Sequence, residues 1–173
     1  MSTALEKLDN IQGLERVKKE LKTLPIILKK NKDGGCPNTL SFGLVGEHDI
    51  GVEIAQILAE LLYNNGILLE NKFIEVDISK LSFPYIGQTA QYIREVYEKV
   101  KGGLICFTHV SEITSQRINQ FSMESYDAMT SLMRQNDNET CFVLIDTEEG
   151  MKKFLSLNTA FESKICRFFY LKD

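Results

Sequence analysis

The chain is poor in the residues that most often announce chemistry. It has two histidines, His48 and His109, and four cysteines, Cys36, Cys106, Cys141 and Cys166. Their spacing is not that of a zinc motif, so no metal is expected. Three of the cysteines sit inside apolar runs, where cysteine serves as a small buried hydrophobe, and reduced thiols fit a cytosolic protein. Basic charge is scarce as well: 20 Lys and Arg face 24 Asp and Glu, a net charge of −4. Nucleic-acid binding usually needs a concentrated basic face. The two basic clusters, Arg16 to Lys22 and Lys29 to Lys32, read instead as solvated helix faces. The apolar runs fall far short of the ~20 residues that span a bilayer. The opening "MSTALEKLDN" has neither the basic start nor the apolar stretch of a signal peptide. A cytoplasmic chain is expected, with no nucleic acid and no membrane among its partners. There is no internal repeat and no low-complexity segment.

What is present is an ordinary globular composition, 43% hydrophobic and 25% charged over 173 residues, enough for one domain with a real core. Leu14, Val17, Leu21 and Leu24 recur at helical spacing between Leu5 and Leu28, and Pro25 should kink or end that pattern. "NKDGGCPN", Asn31 to Asn38, reads as a loop. A strand-and-helix rhythm follows. "LSFGLVG", "KFIEVDI", "GLICF", "CFVLID" and "CRFFYL" are five strands. Helices fall at Val52 to Tyr63, Thr89 to Val100, Ser125 to Met133 and Gly150 to Leu155. Continuous apolar strands alternating with amphipathic helices imply a parallel sheet covered on both faces. The fold class is therefore α/β, doubly wound, with residues 1–38 as a leading helical segment and loop and 39–173 as the sheet core. Ligands in such sheets bind beyond the carboxyl ends of the strands, so the residues there carry the functional question.

The first strand runs into "LVGEHDIGVEIAQ", whose Gly46-x4-Gly51 frame is where a phosphate loop would sit. Beside it stand "LDNIQGLERVKKEL", "EVDISKLSFPYIGQTAQYIREVYEKVKGG", "ESYDAMTSLMRQNDN" and "MKKFLSLNTAFESKI". Together, in collinear order over nearly the whole chain, these segments resemble the core of an AAA+ ATPase. The branch they resemble holds stage V sporulation protein K and the red-type Rubisco activases. The resemblance implies a five-stranded sheet of order 5-1-4-3-2, with the first strand between the fourth and fifth. The small helical lid that closes over nucleotide in that family is not expected within this chain, because Asp173 follows the fifth strand directly.

The same resemblance sets out a catalytic apparatus that these residues fail to supply. In a phosphate loop, backbone N–H groups and a helix N-terminus hold the phosphates, a lysine reaches the β/γ-phosphates and a hydroxyl ligates magnesium. Here Gly46, Glu47, His48, Asp49, Ile50, Gly51, Val52 and Glu53 occupy that loop, with the two glycines expected to keep its turn. Val52 replaces the lysine, Glu53 replaces the hydroxyl, and Glu47 and Asp49 add carboxylates. One carboxylate ~4 Å from a phosphate costs about 4 kcal/mol at an effective dielectric near 20.

The third strand should end in two acids, one for magnesium and one to polarise water; it ends instead in Thr108 and His109. His109 reads as a polar residue at a strand end. His48 could approach it across the strand ends, giving a pair sensitive to pH or metal. Asp146 or Thr147 stands where the family senses the γ-phosphate. Lys164, in "FESKI", stands at the arginine-finger position without the planar fork of arginine.

No catalytic residue and no cofactor are therefore expected, and ATP or ADP enters only with the alternative reading below. One functional element survives: Tyr85, Ile86 and Gly87 match the aromatic-hydrophobic-glycine pattern of the loop lining an AAA+ ring channel. Such a loop grips polypeptide; the alternative is that Phe83 and Tyr85 pack onto the adjacent helix. The function expected is a catalytically inactive AAA+-like module acting in protein–protein interaction or scaffolding within a larger AAA+ protein or ring. Its partners would be AAA+ subunits or a polypeptide client. A residual nucleotide-binding domain with weak or no hydrolysis is the alternative, and an unrelated doubly wound regulatory domain a third. Strand order separates the last from the first two.

Overall fold

The computed structural model describes residues 2–34, 40–81, 87–114, 120–135 and 139–173. Two helices lead. α1 (Ala4–Asn10) is opened by a capping box, in which the Thr3 hydroxyl accepts from the Glu6 N–H and the Glu6 carboxylate accepts from the Thr3 N–H. Gly13 and Leu14 then turn the chain through positive φ, 73° and 57°, into α2 (Glu15–Gly34). Pro25 does not end this helix. The proline lies inside α2 because the buried register of Leu21, Leu24 and Leu28 continues across it. That packing offsets the one backbone hydrogen bond the proline removes. The expected loop at Asn31 correspondingly begins as helix up to Gly34.

Five strands alternate with the remaining helices: β1 (Ser41–Val45), α3 (His48–Asn64), β2 (Phe73–Asp77), α4 (Gln88–Val100), β3 (Leu104–Thr108), α5 (Gln120–Gln135), β4 (Cys141–Asp146), α6 (Glu148–Leu155) and β5 (Arg167–Tyr170). All the pairings are parallel, and the order is β2-β3-β4-β1-β5, the order the resemblance implies.

Successive side chains on the central strands point to opposite faces. Leu104 and Cys106 of β3 and Cys141, Val143 and Ile145 of β4 join a core with α1, α2 and α3. Ile105, Phe107, Phe142 and Leu144 join a separate core with α4, α5 and α6. The apolar runs are therefore buried on both sides, which is why they show no alternation in sequence. In β2 the first face carries Phe73, then Glu75, then Asp77, so it turns acidic toward the carboxyl edge of the sheet.

Candidate functional site

At that edge the phosphate-loop frame takes an unexpected form. Only Gly46 and Glu47 separate β1 from α3, because the helix begins at His48. Gly51 lies inside the helix, its N–H bonded to the Glu47 carbonyl at 2.9 Å. The expected turn from Gly46 to Gly51 is thus cut short: His48 to Gly51 are wound into α3, and the Gly51 donor is consumed by the helix.

Both glycines have a packing reason. A Cβ on Gly51 would fall 2.7 Å from Ile145 Cγ2 of β4, and one on Gly46 would fall 2.7 Å from Leu171 Cβ. Neither has positive φ. Ile50 and Val52 pack against the core, while Glu53 is exposed.

The start of α3 lies over the carboxyl ends of β2 and β3. His48 Nδ1 faces Asp49 Oδ1 at 2.9 Å, and its Nε2 faces Glu75 Oε2 at 2.7 Å. A carboxylate accepts from a ring N–H, and only the protonated imidazole offers one to each of these two partners. The hydrogen bond to Glu75, helped by that to Asp49, accordingly raises the His48 pKa above the usual histidine value despite its partial burial. Glu75 Oε2 also accepts from the buried Thr108 hydroxyl at 2.7 Å.

His109 follows β3 in a left-handed conformation, φ 52°, uncommon for a residue with a side chain. Its Nδ1 faces Asp77 Oδ1 at 2.9 Å, and its ring stacks on that of His48, with centroids 4.8 Å apart and planes 11° from parallel. Asp77 accepts in addition from the Ser79 N–H at 3.0 Å and the Ser79 hydroxyl at 2.6 Å. Burial works against its charge, but the Ser79 and His109 hydrogen bonds outweigh it and hold the pKa below the usual value. One donor atom each from His48, Asp77 and His109 lies within 4.8 Å of the others.

The structure thus brings His48, Asp49, Thr108 and His109 together and adds Glu75 and Asp77, which the sequence reading had not singled out. Their signal was two acids at alternate positions near the end of an otherwise apolar parallel strand. Other expected positions lie elsewhere. Asp146 is nearly buried and serves the fold: its Oδ2 accepts from the Ser111 N–H at 2.8 Å and its Oδ1 from the Thr147 N–H at 2.7 Å. Thr147 caps α6. Lys164 precedes β5 at the amino edge, where its carbonyl accepts from the Ser41 hydroxyl at 2.8 Å. Tyr85 and Ile86 lie outside the described residues. Gly87 opens α4 at φ 88°, and its N–H reaches both carboxylate oxygens of Glu124 at 2.9 Å.

Strand order, parallel register and the helical layers on both faces define the fold of an AAA+ core. Two curated proteins are similar in sequence. Stage V sporulation protein K of Bacillus subtilis (strain 168) is 26% identical over 111 residues, 64% of this chain and 34% of that protein. The CfxQ homolog of Galdieria sulphuraria is 23% identical over 171 residues, 93% of this chain and 56% of that protein. The chain thus spans about a third and about half of the lengths of these relatives.

Among solved structures, the AAA domain of FIGL-1 in complex with ADP superposes with a TM-score of 0.64 at 15% identity, covering 92% of this chain and 53% of that one. A katanin structure described as the basis of its self-assembly gives 0.57 at 15% identity, covering 98% and 55%. No family model matches the chain. The chain resembles the AAA+ core in sequence and shares its fold.

Proposed function

We propose that this chain is a catalytically inactive AAA+-like module that acts through protein–protein contact, as part of a larger AAA+ protein or ring. The observation that carries the reading is the start of α3 at His48, inside the phosphate-loop frame, with His48 held between Asp49 and Glu75 and apolar Val52 at the lysine position. The charge balance points the same way. The helix start gathers Asp49 and Glu75 on His48 and Asp77 on the stacked His109. A single carboxylate ~4 Å from a phosphate costs about 4 kcal/mol at an effective dielectric near 20. The helix dipole returns only about 0.3–1 kcal/mol. Repulsion wins.

Lys164 lies at the opposite edge of the sheet from the start of α3. The self-assembly named for katanin supports the ring reading by analogy of fold.

The test is a phosphate-release assay on purified protein with magnesium and ATP, beside a melting scan with and without ATP or ADP. No turnover and an unchanged melting temperature are expected. Nucleotide at a hundredfold excess over its Kd would stabilise a binding protein by about 2.7 kcal/mol. A rise of several degrees without turnover would therefore replace this reading with that of a nucleotide-binding domain. Turnover abolished by His109→Ala would refute it outright.

A further inference from the structure

The two histidines of the chain stack against each other while each faces a carboxylate of β2. We propose that His48, His109 and Asp77 form a binding site for one divalent transition-metal ion of the zinc, nickel or copper class, with Glu75 and Asp49 as supporting groups.

Three elements converge on the site: the first residue of α3, the last of β2 and the residue after β3. Two imidazoles and a carboxylate are a nitrogen-rich donor set, which selects against magnesium and calcium and for borderline transition metals. The donor atoms lie within 4.8 Å of one another. Donors at ~2.0–2.2 Å from a common ion stand about 3.3–3.5 Å apart, so the widest separation must contract by about 1.3–1.5 Å and the two stacked rings must turn toward one ion. Rotation of the two imidazoles can supply this, because both histidines reach solvent while Asp77 is held in place by Ser79.

The surroundings are those of a supported site. A ligating histidine commonly donates its other ring nitrogen to a carboxylate, which fixes the ring. Asp49 stands at His48 Nδ1 in that relation, 2.9 Å away, leaving Nε2 as the donor. Ser79 and Lys80 hold Asp77: the former bonds one carboxylate oxygen through N–H and hydroxyl, and the Lys80 Nζ lies 3.9 Å from the other. Glu75, fixed by Thr108, is the adjacent anion.

The left-handed backbone of His109 sets where its ring stands. A φ of 52° on a residue with a side chain is a departure that persists only when the surroundings over-determine it, and such departures gather at functional sites. Here it places the imidazole between Asp77 and His48. A metal ion would replace the protons that now bridge the two rings to Glu75 and Asp77. Those protons leave to solvent. With three protein donors the ion keeps an open position for water or for a donor from a binding partner.

The test uses the full chain, stripped with chelator and titrated with Zn²⁺ and with Co²⁺. The exposed Cys166 could itself take either ion, so the titration is run in the Cys166→Ser background as well. One equivalent of zinc should bind and raise the melting temperature, and cobalt should give a visible absorption band without thiolate charge transfer. His48→Ala and His109→Ala should each weaken binding at least tenfold. The melting temperature of each variant in chelator reports whether it still folds, and Asp77→Asn provides a milder third variant. Absent saturable binding, binding unchanged in the His48→Ala, His109→Ala double variant, or binding lost with Cys166→Ser would overturn the assignment. The outcome is independent of whether ATP binds or is hydrolysed.

Discussion

The role of Gly51 can be measured, and the result decides between a relic of a phosphate loop and a packing contact. An alanine Cβ there would sit 2.7 Å from Ile145 Cγ2 and 3.3 Å from its Cδ1, and Ile145 is fully buried in β4. The first distance is far inside van der Waals contact, so α3 or the strand must shift. Overpacking costs about 1–3 kcal/mol, and a contact this short against a branched, fully buried side chain belongs at about 2–3 kcal/mol. Alanine also favours the helix over glycine by about 1 kcal/mol, leaving Gly51→Ala destabilising by about 1–2 kcal/mol. At this chain length that lowers the melting temperature by about 2–8 °C.

The decisive assay is a double-mutant cycle in urea with Ile145→Ala. The single Ile145 variant should lose about 2–5 kcal/mol through its cavity. In that background Gly51→Ala should become neutral or mildly stabilising, giving a coupling of about 1–3 kcal/mol. An equal cost of Gly51→Ala in both backgrounds would refute the packing argument, as would a neutral Gly51→Ala in the parent protein.

Two further outcomes follow from the same edge of the sheet. The His48 pKa is raised in the folded state by Glu75 and Asp49. Its contribution to stability should therefore be complete below the unfolded value of about 6.5 and lost as pH rises through the folded value. In chelator-treated protein the urea midpoint should fall across that range, and His48→Gln should flatten the slope; a midpoint rising with pH would contradict the clamp. Asp146→Ala should destabilise by about 1–3 kcal/mol, because the Ser111 and Thr147 N–H groups lose their acceptor. Asp146→Asn should cost less, as measured by urea denaturation, and an Asp146→Ala variant as stable as the parent would show the carboxylate to be dispensable.

The architecture was legible because its signal is local and repeated. Buried parallel strands such as "GLICF" and "CFVLID" are apolar throughout, and the helices between them carry a clear stripe. The strand order came from the resemblance and is the order observed.

The site was legible only in part. His48 and His109 attracted attention as the two histidines near strand ends, but Glu75 and Asp77 did not. What joins them is the placement of the start of α3 over β2, which brings together His48 and Glu75, 27 residues apart, and the pairing of β2 with β3, which brings together Asp77 and His109, 32 apart. Nothing in the local sequence encodes that distance. The Gly46-x4-Gly51 frame misled in the opposite direction, because glycine serves close packing as readily as a turn. Of the two outcomes expected at Pro25, an end to the helix is not the one observed, since tertiary burial overrode a local helix breaker.

The division of the interior by the sheet has a consequence for how such a domain can change. One apolar cluster belongs to α1, α2 and α3 and a second to α4, α5 and α6, with the strands as a bulkhead between them. Substitutions on opposite sides share backbone and few side-chain neighbours, so their effects should accumulate nearly independently. The half that bears His48 can therefore drift in chemistry while the half that bears Gly87 and α4 keeps its shape. Each side is free to answer to a different selective demand.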